Sequence, residues 1–261
     1  MTASIHPVRD LPTQYVLRLA DTCLILSQRL GEWCGHAPII EEDIAITNMA
    51  LDLIGQARGL LTLAGQMNQR AGGECFDEDQ LAFLRDERDY LNPTLVELPR
   101  GDFAFTVLRN AMVTTFLTLM WERLADSSEP ELAAIAGKAV KESRYHQQHA
   151  ADWVLRLGDG TEESARRLHD ALSGLWRYST ELFSSDAVDE AAAATGIGPK
   201  TADLREAWEA EMGSLLGDVG LGVPAPSPFL STGKQGVHTE AMGTLLTQMQ
   251  YLQRAYPGGV W

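Results

Sequence analysis

Apolar residues recur every three or four positions through most of the chain, and alternating stretches typical of strands are almost absent. This spacing gathers apolar side chains on one face of a helix, so the pattern predicts an all-α protein. A first helix is expected over about 13–31, with Leu19 and Leu26 on its apolar stripe. Pro38 suits the first turn of a second helix that ends near Gly65. Because the connection is short, the two helices should form an antiparallel hairpin.

A second hairpin is predicted further along the chain. Asp102 is a good N-cap for a helix that ends near Ala125, and Pro130 opens another that ends near Gly158. A long crossover, about 66–101, separates the two hairpins. This connectivity is typical of ferritin-like bundles. The pattern therefore predicts a ferritin-like four-helix bundle.

Shorter helices are expected outside this bundle. In the crossover, an acidic helix is predicted over about 77–90. Its run Arg85-Asp86-Glu87-Arg88 is interpreted as a salt-bridged helix surface whose arginines could also serve a partner interface. Beyond the bundle, the predicted helices cover about 162–183, 186–194, 199–216 and 240–256. The last of these begins at a typical helix start, with Thr239 as its cap. We expect one domain over 1–261, with a bundle core at about 13–158 and additional C-terminal helices at about 161–256 packed around it.

Composition and charge exclude several classes of partner. The net charge is −15, and no basic run is longer than Arg166-Arg167, which argues against binding to nucleic acid. The segment 103–121 comes closest to a membrane span, but it carries an arginine, an asparagine and four threonines and is expected to be a buried helix. The three cysteines are widely spaced, odd in number and form no C-x-x-C pair, which suits a reducing compartment. Together with the lack of a signal-peptide pattern, they predict a cytoplasmic protein.

The predicted bundle raises the question of a di-iron site. Such a site takes one carboxylate from each of two helices and a Glu-x-x-His pair from each of the other two, because residues three apart point the same way. The segment 103–121 contains no Asp, Glu or His, so one bridging carboxylate has no candidate. On the second helix, Asp52 is followed by Gly55 at the ligand position. On the fourth, Glu142 is followed by Tyr145.

The best surviving metal candidate is Glu142 with His146, four residues further on the same helical face. His149 continues this face among apolar residues, so the cluster could also be an internal hydrogen-bonded network or a contact with a partner chain. Asp21 on the first helix is a possible partner in such a network. We expect no catalytic, cofactor-binding or metal-ligating residue, and we interpret Asp52, Glu142, His146 and His149 as a vestigial site or internal polar network.

Six stretches carry a resemblance to a known family. They are LRLADTCLILSQRLGEWCGHAP (17–38), ALDLIGQARGLL (50–61), LAFLRDERDY (81–90), KESRYHQQHAADWVLRLGDGT (141–161), LREAWEAEM (204–212) and VHTEAMGTLLTQMQYLQRAYPGGVW (237–261). Together they resemble the structural C subunits of bacterial ring 1,2-phenylacetyl-CoA epoxidases, which are components of multicomponent monooxygenases of phenylacetate degradation.

This resemblance implies a non-catalytic ferritin-like chain without a cofactor of its own, in a hetero-oligomer with a homologous catalytic subunit that holds the di-iron centre. It further implies small accessory subunits and a reductase that delivers electrons from NADPH through FAD and a 2Fe–2S cluster. Two alternatives remain open. One is a self-standing diverged iron oxygenase that uses Glu142, His146 and Asp52. The other is a binding module for the CoA ester, which the acidic charge disfavours.

Overall fold

The computed structural model describes residues 3–225 and 227–259, and it contains no β-strand within them. The α-helices are α1 (Leu11–Gly31), α2 (Ile40–Arg70), α3 (Glu78–Phe83), α4 (Thr94–Glu97), α5 (Phe103–Leu124), α6 (Pro130–Gly158), α7 (Glu162–Leu175), α8 (Ser179–Leu182), α9 (Ala187–Thr195), α10 (Arg205–Asp218) and α11 (Glu240–Ala255). Short 3₁₀ turns lie at Glu87–Asp89, Trp176–Tyr178, Thr201–Leu204 and Gly233–Gln235. The prediction of an all-α protein is confirmed.

The chain divides into two compact units. The first contains the described residues up to Cys34, Ile44–Pro99 and the described residues from Thr232 onward; the second contains Gly35–Asp43 and the described residues of Arg100–Ser231. The predicted single domain, with its core at 13–158, and the ferritin-like arrangement of the two hairpins stay predictions.

In the first unit, α1 and the part of α2 from Ile44 onward form the expected antiparallel hairpin. The Cys23 thiol donates to Gln56 Oε1 at 3.6 Å, and near the hairpin's other end the Val8 amide donates to Asn68 Oδ1 at 2.7 Å. α1 begins after Asp10, whose carboxylate accepts from the Thr13 amide. The second helix starts two residues later than Pro38 and continues past Gly65 to Arg70.

In the second unit, α5 and α6 form the other predicted antiparallel hairpin. Asp102 caps α5 by accepting from the Phe105 amide at 2.9 Å, and Pro130 opens α6, as expected. α7 and α10 pack against α5, and Trp208 on α10 donates from its ring nitrogen to the Met112 carbonyl at 2.8 Å. α5 is long and apolar enough to cross a membrane, but 83% of its most apolar stretch is buried inside the protein, as in a core helix.

Two of the predicted shorter helices are interrupted. The acidic helix expected over 77–90 stops at Phe83, and a 3₁₀ turn follows at Glu87–Asp89. Here the prediction of a salt-bridged helix surface was wrong for Arg85, because its side chain is fully buried. The helix expected over 162–183 changes to a 3₁₀ turn at Trp176–Tyr178 before α8.

Candidate functional site

The buried face of α6 decides which of its side chains could act together. Ser143 and His146 are each 1% exposed, whereas Tyr145 is 59% exposed. Residues three apart on a helix point to the same side, so Ser143 and His146 form the inward-facing pair of this segment. A hydroxyl therefore occupies the position at which a Glu-x-x-His motif would place its carboxylate.

Glu142 lies at the edge of this buried face. Its side chain is 21% exposed, and its Oε1 atom lies 3.5 Å from the ammonium group of Lys138, one turn earlier on the same helix. Lys138 is itself 79% exposed, so this is a surface ion pair with a small effect on stability. Sequence spacing suggested Glu142 as the carboxylate that accompanies His146, but the residue three positions before His146 on the buried face is Ser143.

On α2, too, the buried residues lie one position after those that the sequence suggested. Leu53 and Gln56 are 1% and 5% exposed and form its inward-facing pair. Asp52 is half-buried beside them, and Gly55 is exposed. A leucine cannot bind a metal ion, and the amide oxygen of Gln56 already accepts from the Cys23 thiol.

The buried residues of α5 include no carboxylate and no imidazole. Its buried polar residues include Asn110, Thr114 and Thr118, and the Thr114 hydroxyl donates to the Asn110 carbonyl at 2.6 Å. Ferritin-like di-iron centres are held by carboxylates and imidazoles. The inward-facing pair of α2, taken by itself, therefore does not supply the ligands of a carboxylate-bridged pair of iron ions. Neither does the pair of α6 with these α5 residues.

His149 does take part in a polar interaction, with a residue that the sequence did not suggest. Its Nε2 atom lies 2.9 Å from Oε2 of Glu42, and the two side chains are only 13% and 9% exposed. Glu42 lies in the first turn of α2, where a carboxylate is ordinary because it favours the positive end of the helix dipole. Nothing in the sequence linked it to a residue 107 positions away.

The first unit contains a fully buried ion pair. Two guanidinium nitrogens of Arg85 donate to the two carboxylate oxygens of Asp21, and both side chains have 0% exposure. Asp21 also accepts from the Leu91 amide at 2.8 Å, and the guanidinium lies 4.2 Å from the Tyr90 ring centroid. Burial alone would lower the pKa of Arg85, but the charge and hydrogen bonds of Asp21 outweigh burial and raise this pKa. Asp21 is thus engaged with Arg85.

A second buried pair joins Glu97 on α4 to His238, just before α11. His238 Nδ1 lies 2.6 Å from Glu97 Oε2, its Nε2 lies 2.9 Å from the Tyr90 carbonyl, and both side chains have 0% exposure. Glu97 also accepts from the Thr239 amide at 2.7 Å and from the Asn92 side chain at 2.9 Å. Both ring nitrogens thus face acceptors, an arrangement that suits the doubly protonated imidazolium.

The protonation of His238 follows from this geometry. Burial by itself lowers the pKa of His238, but the hydrogen bond and charge of Glu97, together with the bond to the Tyr90 carbonyl, outweigh it, so the pKa is raised above 6.5.

The predicted start of the last helix is confirmed at Thr239, but the Thr239 side chain makes no capping hydrogen bond.

One group of side chains that could bind a metal ion occurs at the surface of the described part of the chain. Ligand atoms of His6, Asp86 and Asp89 lie within 4.8 Å of one another. His6 Nδ1 lies 2.9 Å from the Asp89 carboxylate, and the Ser4 hydroxyl donates to Asp86 at 2.5 Å. These hydrogen bonds account for the cluster without a metal ion.

Comparisons with known proteins decide the family. A family model described as "Phenylacetic acid catabolic protein" matches residues 2–261. The chain belongs to this family. A relative from Escherichia coli (strain K12), the C subunit of 1,2-phenylacetyl-CoA epoxidase, is 47% identical over 249 residues, which cover 95% of this chain and 98% of the relative. The resemblance seen in the sequence is therefore confirmed.

For this member of the phenylacetic acid catabolic protein family, the sequence located the right helices but not all of the right residues. It identified His146 and His149 on α6 and missed Ser143, Glu42 and the pair formed by Glu97 and His238. A helical projection of α6 could have suggested Ser143, because this residue falls on the same face as Ala136 and Ala139. No sequence signal could have found the partners of His149 or His238, because both pairs join segments that are distant in sequence.

Proposed function

We propose that this chain is the non-catalytic structural subunit of a 1,2-phenylacetyl-CoA epoxidase, and that it pairs with a homologous catalytic subunit that carries the di-iron centre. The observation that carries the proposal is the donor set on the buried helix faces. The inward-facing pairs are Leu53 with Gln56 and Ser143 with His146, and neither contains a carboxylate. The similarity to the C subunit of an epoxidase over nearly the whole chain supports the same conclusion.

The rest of the proposal follows the family. The two helical hairpins combine into a ferritin-like four-helix bundle, and the complex works in the cytoplasm. This chain holds no cofactor of its own. Electrons from NADPH reach the catalytic subunit through a reductase with FAD and a 2Fe–2S cluster, and small accessory subunits complete the assembly. A second bundle that fixes helix positions beside a metal site is a physically sound role, since such sites need a rigid supporting shell.

The test is the iron content of the chain purified alone from iron-replete medium, measured beside that of the catalytic subunit. We expect less than about a tenth of an equivalent here, against roughly two in a loaded di-iron subunit. Mixing the two should give one co-eluting species with epoxidase activity. One or two equivalents of iron in the lone chain, or failure to co-elute, would contradict the proposal.

The alternative of a self-standing iron oxygenase depends on His146, an imidazole on the buried face of α6. If His146 has only a structural role, His146→Ala should lower the free energy of unfolding by roughly 1–3 kcal/mol, because it leaves a gap on the buried face of α6. The iron content of the assembled complex should not change. Unchanged stability with a loss of iron would favour the alternative instead.

A further inference from the structure

α2 has a second apolar face that the described part of the chain leaves exposed. Ile40, Ile44 and Leu51 are 68%, 56% and 58% exposed. The opposite side of the same helix is buried in the protein, since Met49 and Leu53 are each 1% exposed. A surface helix normally shows one apolar stripe and one polar face. α2 therefore departs from the ordinary pattern in its first half.

The three exposed residues, which we call the α2 stripe, lie on one line. At about 100° per residue, they fall within roughly 40° of one another around the helix axis. Single exposed apolar residues are common on protein surfaces, but three in line on one helix have the geometry of a ridge that packs against another helix. Thr47 lies between Ile44 and Leu51 on the same line and is half-buried.

The charges beside the stripe select its partner. Glu41, Asp43 and Asp52 lie on the two sides of the stripe, and residues 40–57 contain no basic residue. The fourth carboxylate of this stretch, Glu42, is buried on the opposite side of the helix. The first basic residue is Arg58, which lies 3.2 Å from Glu78. Two copies of this chain docked through the stripe would bring these carboxylates together, in molecules that each carry a net charge of −15. Like charges placed face to face disfavour association, so a second copy is a poor occupant.

We infer that the α2 stripe is the docking surface for a different helical subunit, one that presents an apolar stripe bordered by lysine or arginine side chains. The identity of that subunit rests on the proposed function: it is the homologous catalytic chain. Three side chains are too few for a stable interface, which takes roughly 20–30 residues a side. The stripe forms its apolar centre, where water is excluded and the energetically dominant contacts lie.

The test compares stripe variants with a matched control. Leu51→Arg and Ile44→Arg place a cation in the apolar centre, opposite the basic border of the partner. Leu252→Arg is the control and changes a leucine on α11 that is 49% exposed, against 58% for Leu51. All three sites are exposed, so the variants should fold, as circular dichroism and thermal unfolding will verify. Affinity for the purified catalytic subunit is then measured by titration calorimetry and co-elution.

We expect wild type and Leu252→Arg to bind equally well and each stripe variant to bind at least tenfold more weakly. Glu41→Gln should weaken binding severalfold at low salt and reduce its salt dependence. Stripe variants that bind like wild type, or a control that loses as much affinity, would overturn the inference. So would a wild-type homodimer that Leu51→Arg converts to a monomer. If wild type itself does not bind the catalytic subunit, the proposed function fails first.

Discussion

At the scale of single residues, this protein buries charge where its sequence suggested a solvated surface. Arg85 belongs to a run of charged residues, yet its side chain has 0% exposure and is bonded to Asp21. A buried guanidinium is tolerated because several acceptors satisfy it: the Asp21 carboxylate, the Leu81 carbonyl at 2.5 Å and the Asp89 carbonyl at 2.8 Å. Such a pair adds little net stability over apolar residues of similar volume, but it is costly to break.

Removing one member of this pair should therefore destabilise the protein strongly. Asp21→Ala leaves the Arg85 charge buried without its carboxylate, and we expect the free energy of unfolding to fall by about 3–5 kcal/mol. Urea denaturation followed by circular dichroism measures this change. As a control, Glu163→Gln breaks the contacts of an exposed carboxylate with Arg166 and Arg167 and should leave the urea midpoint unchanged. A small effect of Asp21→Ala would mean that water or other groups compensate Arg85.

At the scale of elements, α2 shows how one helix can contain glycines with opposite roles. The predicted end of this helix near Gly65 was wrong, because the helix continues to Arg70. Gly65 is required there for a packing reason: a Cβ atom at this position would lie 1.9 Å from the Phe76 carbonyl oxygen. Gly55, on the exposed side, has no atom within 4 Å of a Cβ.

Substitution by alanine should separate these two roles. Gly65→Ala forces a backbone shift and should cost at least about 1–3 kcal/mol of folding free energy. Gly55→Ala should instead stabilise the protein by roughly 0.5–1 kcal/mol, because glycine is the poorer helix former in a helix interior. Thermal unfolding of the two variants side by side measures both effects. The same sign for both changes would contradict this explanation.

At the scale of the whole molecule, long-range polar contacts attach the C-terminal segment to the rest of the first unit. Glu97 and His238 are 141 positions apart. Arg29 on α1 donates to the Glu97 carbonyl at 2.9 Å and to the Ala241 carbonyl at 2.9 Å. Gln250 on α11 donates to the Arg85 carbonyl at 3.0 Å. These bonds connect α1, the crossover and α11, so the last helix should unfold together with the first unit.

This connection should make stability depend on pH. The pKa of His238 is raised in the folded state above its ordinary value of 6.5, so its contribution is fully present below about pH 6.5. That contribution is lost as the pH rises through the folded-state pKa. The difference in unfolding free energy between wild type and His238→Gln should therefore shrink over this range, as urea denaturation at a series of pH values will measure. His169→Gln, at a side chain 65% exposed, is the control and should follow wild type.

Local patterns predicted the helices well, because apolar periodicity and end signals such as Asp102 and Pro130 act within a few residues. They were less successful for the candidate site. Glu142 and Ser143 are adjacent in sequence but differ by about 100° around the helix, so a shift of one position exchanges a rim residue for a buried one. Glu142 was the more conspicuous choice because it is charged.

By itself, the sequence determined that the protein is helical, that its helices form two antiparallel hairpins and that residues 103–121 contain no Asp, Glu or His. It also showed to which family the chain bears a resemblance. Only the tertiary structure decided which side chains face inward, which partners His149, His238 and Arg85 have, and which apolar face of α2 stays exposed. The physical reason is one of range. Helix formation depends on neighbours within a few positions, whereas burial and the pairing of charges depend on contacts between segments that are far apart in the chain.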